Sequence, residues 1–130
     1  YRILKAITVV DAGKVINSMG ARGMVTGAMS MGLGYGSREA HSYSDSGIMQ
    51  TPQFRMYKPL RYGEVQDFTV EFVETHQINA PYGHRGLGEQ GILGMPAALA
   101  NALSTAAQVE LNEIPLVPER IWAAKRSEGR

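Results

Sequence analysis

The residues best suited to chemistry lie in one stretch. Pro81 to Leu103 reads PYGHRGLGEQGILGMPAALANAL, with five glycines around a single acidic residue, Glu89, and an alanine- and leucine-rich run behind it. Glycine lets a backbone take positive φ and approach a ligand closely. A carboxylate in so tight a loop has few conformations, so it can be aimed as a general base must be. Pro96 suits the first turn of a helix opening there, where its missing N–H costs nothing.

Three readings of this stretch stand side by side. Gly86-Leu87-Gly88-Glu89-Gln90-Gly91 matches G-x-G-x-x-G, the dinucleotide fingerprint of an oxidoreductase. That fingerprint needs a strand running straight into its first glycine. The nearest strand pattern, Phe68 to Glu74, stops well short, with Asn79, Pro81 and Gly83 between. Glu89 would also set a negative charge beside a pyrophosphate. The second reading makes Glu89 a base next to a cofactor or substrate held by glycine backbone. The third is a glycine-rich connection with an exposed Glu, inside a non-catalytic interaction domain. His84 and Arg85 flank the motif, where a cation could act on Glu89 or meet a phosphate, or simply stay solvated.

The elements that must position these residues follow from periodicity. Ile3 to Val10 is an apolar run of strand length, expected to be buried on both faces. Asp11 stops it, either as a turn residue bonding local backbone or as a neighbour of a cofactor. Between residues 20 and 36, Gly23, Gly27, Ser30 and Gly34 share one helical face, and Met24, Ala28, Met31 and Tyr35 an adjoining one. Each helical glycine costs about 1 kcal/mol relative to alanine, so close approach of a ligand or another backbone must compensate. Ala40 to Gln50 reads as a hairpin turning at Asp45-Ser46-Gly47. Gln53 to Lys58 is a second strand pattern. Phe68, Val70 and Phe72 alternate along a third, which has one core face. From Pro96 to about Gln108 the chain is apolar nearly all round and belongs in an interior. Pro118 opens a short last helix, with Trp122 docking on the core and residues 127–130 fraying.

The glycine stretch and the closing IPLVPERIWAA resemble the end of the molybdenum-binding subunit of the xanthine dehydrogenase and aldehyde oxidase family. That family has a G-[VLI]-G-E loop, an alanine-rich helix and a P-x-[TV]-P-E-[RK] segment. VVDAGKVINSMGARGMVTGAMSMGLGYG is similar to its D-x-G-x-x-[IL]-N-P, G-Q-[IV]-x-G-[GA] and Q-G-[LI]-G-Y-A stretches. The resemblance covers nearly the whole chain, and bacterial xanthine dehydrogenase looks nearest. It implies a molybdenum hydroxylase that inserts water-derived oxygen at a carbon beside a heteroatom, in purines, N-heterocycles or aldehydes. It implies Glu89 as catalytic base, and Gly23, Met24, Gly27, Gly86, Leu87 and Gly88 at a molybdopterin cofactor, either plain or in its cytosine dinucleotide form. The metal is then held by the pterin's dithiolene and by no protein side chain. Iron–sulfur clusters and FAD would sit on partner domains or subunits, beside the remainder of the molybdenum subunit. The chain departs from the pattern at Met24 and Met31, where the family carries glutamines, and at Asn17-Ser18, where it carries Asn-Pro. A thioether cannot donate the hydrogen bond an amide would.

Length and composition set the frame. The expected fold is mixed α+β, a small β-sheet with packed helices, in one domain over residues 1–130. Because Tyr1 is no initiator Met and already reads as extended, the chain is expected to be the C-terminal fragment of a longer subunit, inactive alone. A 44% hydrophobic and 19% charged composition describes a globular core rather than a disordered chain. A net charge of +1 with no basic stripe points to no nucleic acid, and no apolar run reaches membrane-spanning length. With no cysteines and three scattered histidines, His41, His76 and His84, there is no disulfide or zinc pattern. The composition suits a cytoplasmic protein acting on a small molecule.

Overall fold

The computed structural model describes every residue except Gln66, Gly129 and Arg130. Two six-residue strands, β1 (Ala6–Asp11) and β2 (Phe68–Val73), pair in parallel with Ala6 opposite Phe68 and Asp11 opposite Val73. Parallel neighbours need a long crossover. Here it carries helix α1 (Ser18–Ser37) and the short α2 (Phe54–Tyr57). After β2 come a 3-10 turn (Pro81–Gly83) and helices α3 (Gln90–Leu93), α4 (Met95–Ala107) and α5 (Pro118–Glu128). This is the expected mixed fold of a small sheet with packed helices.

Helix α1 starts where Asn17 takes extended angles and its Oδ1 accepts the Gly20 N–H at 2.9 Å. Such a cap satisfies one of the orphan donors of the first turn. The helix ends at Arg38, whose N–H bonds the Gly34 carbonyl at 3.0 Å. The Arg38 guanidinium then donates to the Lys58 carbonyl at 2.9 Å and to Glu64. It therefore ties the 58–64 loop to the helix end.

The core centres on Val25, Met29 and Leu116, with Val10, Leu33, Val70, Met95 and Leu99 around them. The buried face of α1 is thus Val25, Ala28, Met29, Gly32, Leu33 and Gly36. Of the two expected stripes only Ala28 and Gly34 are buried, while Gly23, Gly27, Met24, Met31 and Tyr35 face outward. The real packing face carries Gly32 and Gly36, a pair one turn apart. A Cβ on Gly32 would stand 2.8 Å from the Ile92 carbonyl oxygen, and one on Gly36 3.0 Å from Pro96 Cα. The absent side chains let α1 lie against the α3–α4 junction.

Several expectations are corrected. The first strand begins at Ala6 and has one open face: Ala6 and Val10 are buried, but Ile7 is 54% and Val9 64% exposed. A continuous apolar run cannot say by itself whether both its faces find partners. Residues 54–57 form a helical turn, closed by the Tyr57 N–H on the Gln53 carbonyl at 2.9 Å and by Lys58 in a left-handed conformation. A short apolar run fits both periods. Helix α4 buries Met95, Pro96 and Leu99 and leaves Ala97, Ala98, Ala102 and Ala106 exposed. Trp122 is 61% exposed, under the Arg126 guanidinium at 4.7 Å, while Ile121 and Ala124 make the core contact. Ser127 and Glu128 belong to α5, so of the expected fraying only Gly129 and Arg130 are left, and they lie outside the described residues. The hairpin turns where expected: Gly47 has φ +79, its N–H bonds the Ser44 carbonyl at 2.8 Å, and Tyr43 bridges Met49.

Candidate functional site

The glycine loop leaves a firm base. Gly83 has φ +73, a conformation that L side chains rarely adopt, and a Cβ there would meet the His76 ring. Gly13 and His84 form a bridge, the Arg85 N–H donates to the Ala12 carbonyl at 2.9 Å, and the Lys14 N–H to the Gly83 carbonyl at 2.9 Å. Residues 83–85 are thereby laid along the turn that follows β1. Asp11 completes this junction. Its Oδ1 accepts the Gly13 N–H at 3.1 Å and the Thr75 N–H at 3.2 Å, and its Oδ2 lies 3.6 Å from Arg85 Nη2. The Gly13 N–H first, then Thr75 and the Arg85 charge, hold the Asp11 carboxyl below the usual carboxylate range, against a smaller loss of hydration.

Of the two readings of Asp11, the structure supports the turn residue. His84 and Arg85 are half-buried and engaged elsewhere: His84 Nδ1 lies 2.5 Å from the Pro81 carbonyl oxygen, and Arg85 pairs with Asp11. Neither is a freely solvated side chain. Arg85 Nε is buried without a hydrogen-bond partner.

Beyond Arg85 the loop opens. Gly86 and Gly88 are exposed, with nothing within 4 Å of where a Cβ would stand. Leu87 turns its side chain onto the core. Glu89 takes the N-cap position of α3, yet its side chain makes no capping bond. The carboxylate is exposed and has no hydrogen bond or ion pair among the described residues. Gly91 then seats the loop on α1: a Cβ would stand 2.7 Å from the Val25 carbonyl oxygen and 2.9 Å from Ala28 Cβ. The structure thus brings the loop against α1 one residue beyond Met24, which is itself 54% exposed. Gly23 and Gly27 also have open space around them.

Gly27 lines a cleft of about 690 Å³ with Thr26, Ser30, Tyr62 and Phe68, and Glu89 is not among its lining residues. The acid and the glycine-bearing face of α1 therefore do not share this cleft. Among the described residues nothing stands within 4 Å of where a Cβ would sit on Gly23, Gly27, Gly86 or Gly88. Sequence reasoning also missed Gly91, Gly32 and Gly36 as the residues that join loop and helix. The G-x-x-x-G spacing from Gly32 to Gly36 was the available signal. The dinucleotide reading lacks its strand, because β2 ends at Val73 and the segment entering Gly86 is a turn and a bridge.

A mixed fold with a glycine loop packed on a glycine-bearing helix, and one uncommitted carboxylate, defines a cofactor-binding module more readily than a self-contained active site. Residues 1–66 match the family model for the molybdopterin cofactor-binding domain, and the chain belongs to that family. It is 33% identical over 121 residues to the xanthine dehydrogenase molybdenum-binding subunit of Escherichia coli O157:H7, covering 92% of this chain and 16% of that protein. Against the nicotine 6-hydroxylase large subunit of Paenarthrobacter nicotinovorans it is 29% identical over 128 residues, 96% of this chain and 16% of that one. The fold superimposes on quinoline 2-oxidoreductase from Pseudomonas putida 86 with a TM-score of 0.87 at 27% identity, over 96% of this chain and 16% of that chain. The chain thus spans about one sixth of the length of these relatives.

The residues fit such a cofactor. Among the described residues no group of three or more His, Cys, Asp or Glu stands together as a metal site. A metal carried on an organic ligand needs none. It needs backbone that can be approached closely, which the open positions at Gly23, Gly27, Gly86 and Gly88 supply. Among the described residues no helix is long and apolar enough to cross a membrane.

Proposed function

We propose that this chain is the C-terminal part, residues 1–130, of the molybdenum-binding subunit of a cytoplasmic hydroxylase, acting on a carbon beside a heteroatom in a purine, an N-heterocycle or an aldehyde. The observation that carries the reading is the seating of Gly91 on α1 at Val25 and Ala28, which brings the loop carrying Glu89 against that helix. The sequence match along 92% of the chain to a xanthine dehydrogenase subunit supports it.

When bound, the molybdenum cofactor supplies the two-electron oxidation. This chain's residues would help to hold it and move a proton. Gly86 and Gly88 offer backbone N–H groups to the pterin, with Leu87 holding the loop down by its side chain. Gly23 and Gly27 let it approach α1. Met24 adds apolar contact where the family's glutamine would donate a hydrogen bond. Glu89 takes up a proton at a carboxylate oxygen as the substrate carbon gains an oxygen derived from water. Its exposure here agrees with a chain spanning one sixth of its relatives, the missing wall coming from the rest of the subunit. Electrons leave through iron–sulfur clusters and FAD on partner domains or subunits. The cofactor is plain molybdopterin or its cytosine dinucleotide.

The test is metal analysis and visible absorbance of the full-length protein purified with its neighbours, followed by assays on hypoxanthine, nicotinate and benzaldehyde. Molybdenum near one per subunit, iron–sulfur absorbance and turnover of one of the three are expected. Bound NAD without molybdenum, or no cofactor at all, would refute the reading.

A further inference from the structure

We propose that Asp11 and Arg85 are positioning residues for Glu89, their ion pair fixing the take-off of the loop that carries it. The inference rests on the role proposed for Glu89. The loop is anchored at each end, with the Leu87 side chain on the core between. At its far end Gly91 lies on the α1 backbone. At its near end Arg85 lies on the turn after β1, by backbone through Ala12 and by side chain through Asp11 at 3.6 Å. Between them run five residues, Gly86 to Gln90, two of them glycines. Glycine restrains its own backbone least, so the anchors decide where residue 89 points.

Asp11 is built to hold its end still. The Gly13 and Thr75 N–H groups grip its carboxylate from the ends of both strands. Arg85 Nε is buried without an acceptor, so Asp11 is the carboxylate that compensates the guanidinium. The Arg85 side chain is 36% exposed, so the guanidinium can swing into water once the Asp11 charge is gone. Relocation of this side chain would drag Gly86 with it. A displacement near 1 Å at a reacting group costs about a hundredfold in rate.

The experiment uses the intact enzyme, full-length molybdenum subunit with its partners, on whichever of hypoxanthine, nicotinate or benzaldehyde it turns over. Asp11→Asn keeps an oxygen to accept the two N–H groups and replaces the oxygen facing Arg85 by an amide NH2, which cannot accept from the guanidinium. The expected result is a kcat lower by about ten- to a hundredfold, with KM within about threefold. Molybdenum content stays unchanged, and melting temperature falls by only about a few degrees, because the group is solvent-exposed. Arg85→Met gives the same loss, Arg85→Lys recovers part of it, and the double variant is no worse than either single one, because both remove one interaction. Unchanged kcat in Asp11→Asn, additive losses in the double variant, or losses that track melting temperature and metal content would each overturn the proposal. Glu89→Gln separates the two claims. If that change abolishes turnover while Asp11→Asn leaves it intact, the positioning role alone falls. If it leaves turnover intact, the base assignment falls first.

Discussion

Gly91 of the glycine loop and Val25 of α1 meet backbone to backbone, so closely that a Cβ on Gly91 would stand 2.7 Å from the Val25 carbonyl oxygen. This contact joins the two glycine-bearing segments. It also sets the distance of Glu89 from the helix, since α3 begins immediately after that residue.

Gly91→Ala should therefore destabilise the full-length subunit by about 1–3 kcal/mol, the usual range for overpacking a fitted contact. Gly88→Ala, with open space around the new methyl, should be nearly silent in chemical denaturation. Equal midpoints for the two variants would contradict this difference. In the assembled enzyme the bulkier Gly88→Val should instead lower molybdenum content, and unchanged loading would remove Gly88 from the cofactor site.

Truncating the core should be costly at the three deepest side chains. Met29→Ala should lose about 2–5 kcal/mol, a transfer and cavity cost combined. Trp122→Ala should lose far less, because that ring is mostly exposed. Urea midpoints would check the order, and a larger loss at Trp122 would reverse the core drawn here.

Asn17→Ala removes the cap on α1 and should cost about 1 kcal/mol. Asn17→Ser, which keeps an acceptor, should recover most of it in the same denaturation series. A full loss in the serine variant would mean that Asn17 acts by something other than capping.

Glu64 accepts from the Arg38 guanidinium and from the Arg61 N–H, and these hold its carboxyl below the usual range. A folded carboxyl that is harder to protonate contributes stability above its unfolded pKa and loses it as pH falls through the folded one. The gap in melting temperature between wild type and Glu64→Gln should thus be present near neutrality and close below about pH 4. The pair is a third exposed, so the gap should be small, about 1 kcal/mol or less. A gap of equal size at pH 3 and pH 7 would contradict the assignment.

Much of this was legible in the sequence, for identifiable reasons. Phe68, Val70 and Phe72 alternate cleanly, and the Asp45-Ser46-Gly47 turn demands positive φ at its glycine, so both local features came out where periodicity placed them. The α1 helix was legible in extent but not in orientation. Its glycines and methionines recur on several faces, and only the neighbour at α3–α4 decides that Gly32 and Gly36 face inward. Residues 54–57 were ambiguous because four apolar-rich residues fit a strand and a helical turn alike. The exposed sides of β1 and α4 misled for another reason. A continuous apolar run does not say which of its faces is covered, and here Ile7, Val9 and Ala102 are exposed. The glycine loop and its one acid were conspicuous. Their two anchors were not, since Asp11 and Arg85 lie 74 positions apart in the chain.

The central claim is that Glu89 moves the proton. Glu89→Gln in the intact enzyme, compared with wild type for turnover and molybdenum content together, tests it most directly. The expected result is full metal loading with kcat down by about 10²- to 10⁴-fold. Near-normal turnover at full loading would contradict it.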